Sequence, residues 1–131
     1  MEWNVVPIEQ EKALQFLRDN HADREVIFIR ECDEWVAVYD EDAFPLVLAG
    51  VTGINYKKNH MSVDCSFVRQ DYRRRGILKA FYEYIMERFN DKDFVIYCRP
   101  HAAHICKKYY GFVVTQTWKN GTEKCVLKRN E

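Results

Sequence analysis

The sequence has no excess of either charge: lysine plus arginine number 20, aspartate plus glutamate number 20, and the formal net charge is zero with the histidines neutral. No overall field therefore draws the chain to nucleic acid or to an anionic membrane, and any such contact must be local. Long apolar runs are also lacking. The longest, Phe44 to Val51, is interrupted by Pro45 and Gly50 and falls far short of the roughly 20 residues that span a bilayer. The start of the chain carries Glu2, Glu9 and Glu11 instead of the basic-then-apolar order of a signal peptide, which points to a cytoplasmic protein without a membrane partner. The cysteines (Cys32, Cys65, Cys98, Cys106 and Cys125) form no C-x-x-C pair and show no Cys/His zinc spacing, so reduced, buried thiols are expected and no metal site. His101 and His104 stand close to Cys106, but the sequence offers no further ligands for a metal.

What is present is a globular composition: 47% hydrophobic, 15% aromatic and 31% charged over 131 residues. A chain of this length fits one domain, residues 1–131, and buries roughly two-thirds of the surface its unfolded form exposes. Trp3 to Val6 reads as a short strand and Ile8 to Arg18 as a helix with an apolar stripe of Ala13, Leu14, Phe16 and Leu17. Val26 to Ile29 fits a strand or a helical turn. Trp35 to Tyr39, Leu46 to Tyr56 and Met61 to Val68 read as three strands of an antiparallel meander. Strict alternation in the third places Met61, Val63, Cys65 and Phe67 on one face, with Ser62, Asp64, Ser66 and Val68 on the other. Helical spacing of Ile77, Phe81, Tyr84, Ile85 and Arg88 predicts a helix over Ile77 to Phe89, followed by a buried strand at Phe94 to Cys98 and a helix from His101 to Tyr109. Phe112 to Trp118 and Lys124 to Leu127 close as a hairpin through Asn120-Gly121.

Between the third strand of the meander and its following helix stands Gln70-Asp71-Tyr72-Arg73-Arg74-Arg75-Gly76-Ile77. The first amides of a helix have no intrahelical acceptors and sit at the positive end of its dipole, so a strand that runs through a glycine-bearing loop into a helix is suited to bind phosphates. Arg73, Arg74 and Arg75 add guanidinium donors beside those amides, and Gly76 lets the backbone come close.

Arg73-Arg74-Arg75-Gly76-Ile77-Leu78 resembles the pyrophosphate loop of the GNAT superfamily of N-acetyltransferases, whose signature is Gln or Arg, two residues, Gly, one residue, then Gly or Ala. Leu78 departs from the small last residue. Phe94 to Phe112 resembles the family's next strand and helix, with Ala103 at the usual alanine and Tyr110-Gly111-Phe112 at the usual ending, so the likeness covers roughly residues 61 to 118. The resemblance implies an α/β fold: a single-domain, mixed, mostly antiparallel six- to seven-stranded sheet with a central splay and flanking helices. It implies transfer of acetyl from acetyl-CoA, without a metal, to a primary amine on a small molecule, a peptide N-terminus or a protein lysine, by direct attack in a ternary complex. Phe67, Val68, Arg73, Arg74, Arg75, Gly76, Ile77 and Leu78 are then the cofactor-binding residues.

A lysine-like amine of pKa about 10.4 costs about 4.6 kcal/mol to neutralise at pH 7, so a base is useful. Asp64 is the candidate, by its place on the polar face of the strand that feeds the loop; Tyr56 or His60 acting through water is the alternative. The family's acid, a Tyr four residues before the Gly of the Gly-Phe ending, is replaced here by Lys107, with Tyr109 nearby. The family frames its acceptor by segments corresponding here to Asn20 to Arg24 and Trp118 to Thr122, including His21, Asp23, Arg24, Trp118 and Lys119. Two other readings stand beside this one: an acetyl-CoA-binding regulatory domain without catalysis, and a nucleic-acid or protein-binding module using Arg69 to Lys79. The zero net charge counts against the latter. The terminal hairpin is also a place where a homodimer could pair.

Overall fold

The computed structural model describes residues 2–26 and 29–129. Within them, β1 (Val5–Pro7), β2 (Glu34–Asp40), β3 (Val47–Tyr56) and β4 (Met61–Val68) pair antiparallel in chain order. β5 (Phe94–Cys98) runs parallel to β4, and β7 (Glu123–Leu127) lies antiparallel between β5 and β6 (Val113–Thr117). The result is one seven-stranded sheet in the order β1-β2-β3-β4-β5-β7-β6. Residues 27 and 28, within the segment that fitted either a strand or a helical turn, lie outside the described residues.

Three helices cover the sheet, and each forms because its apolar residues repeat at helical spacing. α1 (Gln10–Asp19) buries Ala13, Phe16 and Leu17 against Trp35, Ala37 and Val51. α2 (Ile77–Arg88) buries Ile77, Phe81, Tyr82, Ile85 and Met86 in a second cluster. α3 (Pro100–Tyr110) starts one residue before the expected His101, with Pro100 at a first-turn position that needs no amide hydrogen, and contributes Ala103 and Cys106 to that second cluster. Burial of side chains such as Phe81 and Ile85, both 0% exposed, contributes about 1.5–3 kcal/mol each. No helix among the described residues is long and apolar enough to cross a membrane.

The strict alternation expected along β4 breaks at Cys65. Gly53 pairs with Asp64 and Val51 with Phe67, so β3 passes one residue where β4 passes two. Cys65 absorbs the extra residue in a left-handed conformation, φ 59, which makes a β-bulge. Met61 and Val63 therefore pack with α2 and α3, Cys65 and Phe67 pack on the α1 side, and Val68 returns to the cluster of α2 and α3. Asp64 does not share the orientation of Val68, as parity alone had placed it.

Gly53 faces this bulge at close approach: a Cβ there would lie 2.4 Å from Cys32 Sγ, 2.9 Å from Cys32 Cβ and 3.2 Å from the Asp64 backbone oxygen. Gly53→Ala is expected to destabilise the fold by about 1–3 kcal/mol through overpacking, read as a lower midpoint in urea unfolding; an unchanged midpoint would contradict the packing at the bulge.

Candidate active site

β4 and β5 are paired only at Met61↔Phe94 and Ser62↔Val95. Beyond Ser62 the bulged strand bends away, and the two strands part. The gap continues as a cleft of about 1020 Å³ with Val63 to Val68 on one wall and Ile96 to Arg99 on the other. Backbone groups of β4 that would have paired with a parallel neighbour instead face this space, so an extended ligand with amide groups can complete the ladder.

At one mouth stands the arginine loop. A 3₁₀ turn, Gln70–Tyr72, leads out of β4; Tyr72 is buried, and its hydroxyl donates to Asp40 Oδ2 at 2.7 Å. Arg74 is left-handed (φ 64), and Gly76, the residue capping α2, has φ 86. Ala80 N bonds to Gly76 O at 3.0 Å, so the amides of Ile77, Leu78 and Lys79 precede the first full helical bond and have no intrahelical acceptor. A Cβ on Gly76 would meet nothing within 4 Å, which leaves open space above those amides. Gly76, Ile77, Leu78 and Arg74 line the cleft together with Phe67, Val68 and Arg73.

The three arginines do not act alike. Arg73 is tied into the fold: its Nε donates to Val68 O at 2.9 Å, its other nitrogens bind both Glu25 oxygens at 2.8 Å, and its guanidinium lies 5.2 Å from the Phe67 ring centroid. Arg75, expected among the cofactor ligands, stacks over Tyr72 at 5.0 Å, accepts a bond from Trp3 Nε1 on its carbonyl at 2.8 Å, and is not part of the cleft lining. Arg74 is exposed at the cleft mouth, with Lys79 on the same lining.

Arg73 holds the Glu25 carboxyl below its ordinary range, and the Tyr72 hydroxyl does the same for Asp40. A folded-state pKa below the unfolded value contributes stability that is present above the unfolded value and is lost as pH falls through the folded one. Thermal stability should therefore hold down to about pH 5 and fall below about pH 4. Glu25→Gln should shallow that fall; an identical acid profile in the variant would contradict the assignment.

Asp64 lines the cleft wall with its side chain 12% exposed. Arg30 Nη2 (3.0 Å), Asn55 Nδ2 (2.7 Å) and Ser62 Oγ (3.0 Å) all converge on its Oδ2. The carboxylate is thereby fixed through Oδ2, and Oδ1 has no hydrogen-bond partner among the described residues. Tyr109 lines the cleft from α3 with His101, Ala102, His104 and Ile105, and Lys79 Nζ stands 4.3 Å from its ring centroid. Lys107 is exposed and lies outside the cleft lining, because two residues from either Ile105 or Tyr109 is a turn of roughly 200° about the helix. Tyr56, bonded to Glu34, and His60 are likewise outside the lining. Cys98 lines the cleft; hydrogen bonding with Cys106 and Cys125 together with burial pushes its pKa up and keeps the thiol protonated.

The cleft is lined further by Glu25, Val26 and Arg30 from the segment after the 3₁₀ turn Ala22–Arg24, and by Trp118, Asn120 and Thr122 from the β6–β7 turn. His21, Asp23, Arg24 and Lys119 do not line it. Arg30, Tyr97 and Arg99 were not singled out from the sequence. Arg99 carried a legible signal, standing after the last residue of a strand and before Pro100; Arg30 carried none, since its role depends on where a loop folds back. Among the described residues no cluster of His, Cys, Asp and Glu could hold a metal ion.

Residues 3–112 match the Acetyltransferase (GNAT) family, and the chain belongs to that family. It shares its fold with a histone acetyltransferase HPA2 and related acetyltransferase from Corynebacterium glutamicum (14% identity, 96% of this chain and 94% of that one, TM-score 0.69). It shares it also with the ribosomal-protein-S18-alanine N-acetyltransferase of Escherichia coli (12% identity, 95% and 90% covered, TM-score 0.64). A third likeness is to N-acetylglutamate synthase from Neisseria gonorrhoeae, complexed with coenzyme A and L-arginine (7% identity, 98% and 34% covered, TM-score 0.71). No curated protein matches the chain.

Proposed function

We propose that this protein transfers an acetyl group from acetyl-CoA to a primary amine by direct attack within a ternary complex. The observation that carries the reading is the parting of β4 from β5 beside the glycine-capped start of α2, which puts unpaired strand amides and helix-terminal amides in one cleft. The residues present fit the cofactor: the amides of Ile77, Leu78 and Lys79, with Arg74, suit its pyrophosphate, and the β4 edge around Phe67 and Val68 suits the amides of its pantetheine arm. Arg73 shapes the loop through Val68 and Glu25, and Arg75 through Tyr72 and Trp3. The relative with coenzyme A bound and the relative named for acetylating an alanine amine support the same reading.

Acetyl-CoA supplies the activated thioester. Asp64 Oδ1 orients the amine and accepts its proton as the nitrogen–carbon bond forms and the carbon–sulfur bond breaks. A departing thiol of pKa about 8.5 needs little help from an acid, which suits a site where Lys107 lies outside the cleft; Tyr109, on the lining, is the residue placed to donate to the sulfur. The protonated, buried Cys98 is a poor nucleophile, which favours direct transfer over a covalent acetyl-cysteine. The test is acetyl-CoA-dependent release of free thiol across a panel of amines. Release that requires both substrates is expected; tight cofactor binding with no release from any amine would leave only the cofactor-binding regulatory reading.

A further inference from the structure

The pairing of β4 with β5 fixes what borders the gap on each face of the sheet. Ser62 lies beside Val95, so the next rung on their face would bring Asp64 opposite Tyr97. The strands have parted by then, and the two side chains border the opening from opposite edges. Contacts confirm the face on each strand. Asp64 accepts from Ser62 Oγ at 3.0 Å and from Asn55 Nδ2 at 2.7 Å, and Asn55 is the register partner of Ser62. On β5, Phe94, Ile96 and Cys98 are buried in the cluster of α2 and α3, which turns Tyr97 to the other side. Tyr97 is 44% exposed and lines the cleft together with Trp118, itself 38% exposed. Their ring centroids are 5.9 Å apart and their planes meet at 53°. Neither ring belongs to either core cluster, so the pair packs on itself and leaves apolar area open to the cleft.

Aromatic rings left half open beside a polar centre bury their faces when a ligand with a flat apolar group enters. Such a notch also attracts cations in general, but its charged neighbours here are wrong for one. Lys124 is the register partner of Tyr97 and shares its face. Arg30 and Arg99 line the cleft, and the carboxylates of the lining, Glu25 and Asp64, are already held by Arg73 at 2.8 Å and Arg30 at 3.0 Å. A polyamine or an extended cationic peptide would therefore meet positive charge and no unpaired carboxylate. We propose that Tyr97 and Trp118 bind the ring of an aromatic acceptor, a primary amine joined to that ring by a short apolar linker, and that Tyr97 sets this specificity. The inference rests on the acetyl-transfer reading: an amine delivered to Asp64 has Tyr97 as its neighbour across the gap, and Trp118 extends the same wall away from the reacting nitrogen.

The test compares phenethylamine, n-propylamine and putrescine by acetyl-CoA-dependent thiol release and by calorimetric titration into the protein saturated with desulfo-CoA. Burying a ring predicts a kcat/KM for phenethylamine about tenfold or more above that for n-propylamine, with a matching order of affinities and putrescine no better than n-propylamine. Tyr97→Thr, which keeps a strand-forming residue on β5, and Trp118→Ala should each lower that ratio severalfold. Affinity for acetyl-CoA should stay at the wild-type value in both, and circular dichroism checks that both are folded. Turnover of amines without a preference for phenethylamine, a preference for putrescine, or an aromatic preference that survives both substitutions would overturn the aromatic site and leave acetyl transfer standing. A matching loss of acetyl-CoA affinity in the folded variants would assign the rings to the cofactor and overturn it as well. Absence of turnover with every amine, acetyl-CoA being bound, would remove the acetyl-transfer reading and this inference with it.

Discussion

Gly76→Glu is expected to cut acetyl-CoA affinity by about 10³-fold or more. Gly76 holds φ 86 at the cap of α2, with open space within 4 Å of where its Cβ would be. A non-glycine residue in that conformation carries roughly 1–3 kcal/mol of strain, which is a cost to folding more than to binding. The carboxylate is what acts on binding: placed in the space a pyrophosphate would fill, it repels each nearby negative charge by about 4 kcal/mol at 4 Å under an effective dielectric of 20. At about 1.4 kcal/mol per tenfold, that accounts for the loss. Gly76→Ala carries the strain without the charge and should lose stability but keep most of its affinity. The order of the two variants, measured by calorimetry with folding checked by circular dichroism, separates a binding role from a folding role; a Glu variant that binds as well as the Ala variant would refute the loop assignment.

Asp64→Asn should lower kcat by about 10²-fold or more, the scale of a lost general base, while acetyl-CoA affinity stays nearly constant. Asparagine preserves the shape, and Arg30, whose side chain is 47% exposed, can turn to water once its partner is neutral. Asn55 and Ser62 remain to hold the amide in place. Arg30→Gln gives the complementary case: the carboxylate is kept and one of its anchors removed, so the expected loss is smaller. A variant with wild-type kcat would remove Asp64 from the reaction.

The parts of the molecule legible in the sequence are those governed by local periodicity. Ile77, Phe81 and Ile85 repeat at helical spacing, Pro100 marks the start of α3, and Asn120-Gly121 marks the last hairpin, so elements and their order could be read directly. The candidate phosphate-binding loop stands out in the sequence because its residues are consecutive, Arg73 to Leu78. The face of Asp64 was not, since it depends on one extra residue at Cys65; a cysteine in a left-handed conformation is not announced by type as a glycine or asparagine would be. The division of labour among Arg73, Arg74 and Arg75 was equally hidden. Three identical neighbours take different roles because Glu25, Phe67 and Val68 capture the first while Tyr72 and Trp3 capture the last. Glu25 and Trp3 come from distant parts of the chain.

The central claim is that the gap between β4 and β5, with the capped start of α2, is a site for acetyl-CoA and not a basic surface patch. Calorimetric titration of the purified protein with acetyl-CoA and desulfo-CoA, with ATP as a polyphosphate control, tests it most directly. Saturable binding of both CoA compounds with ATP much weaker is the predicted result, because the strand edge recognises the pantetheine arm that ATP lacks. Equal, weak and salt-sensitive binding of all three compounds would contradict it.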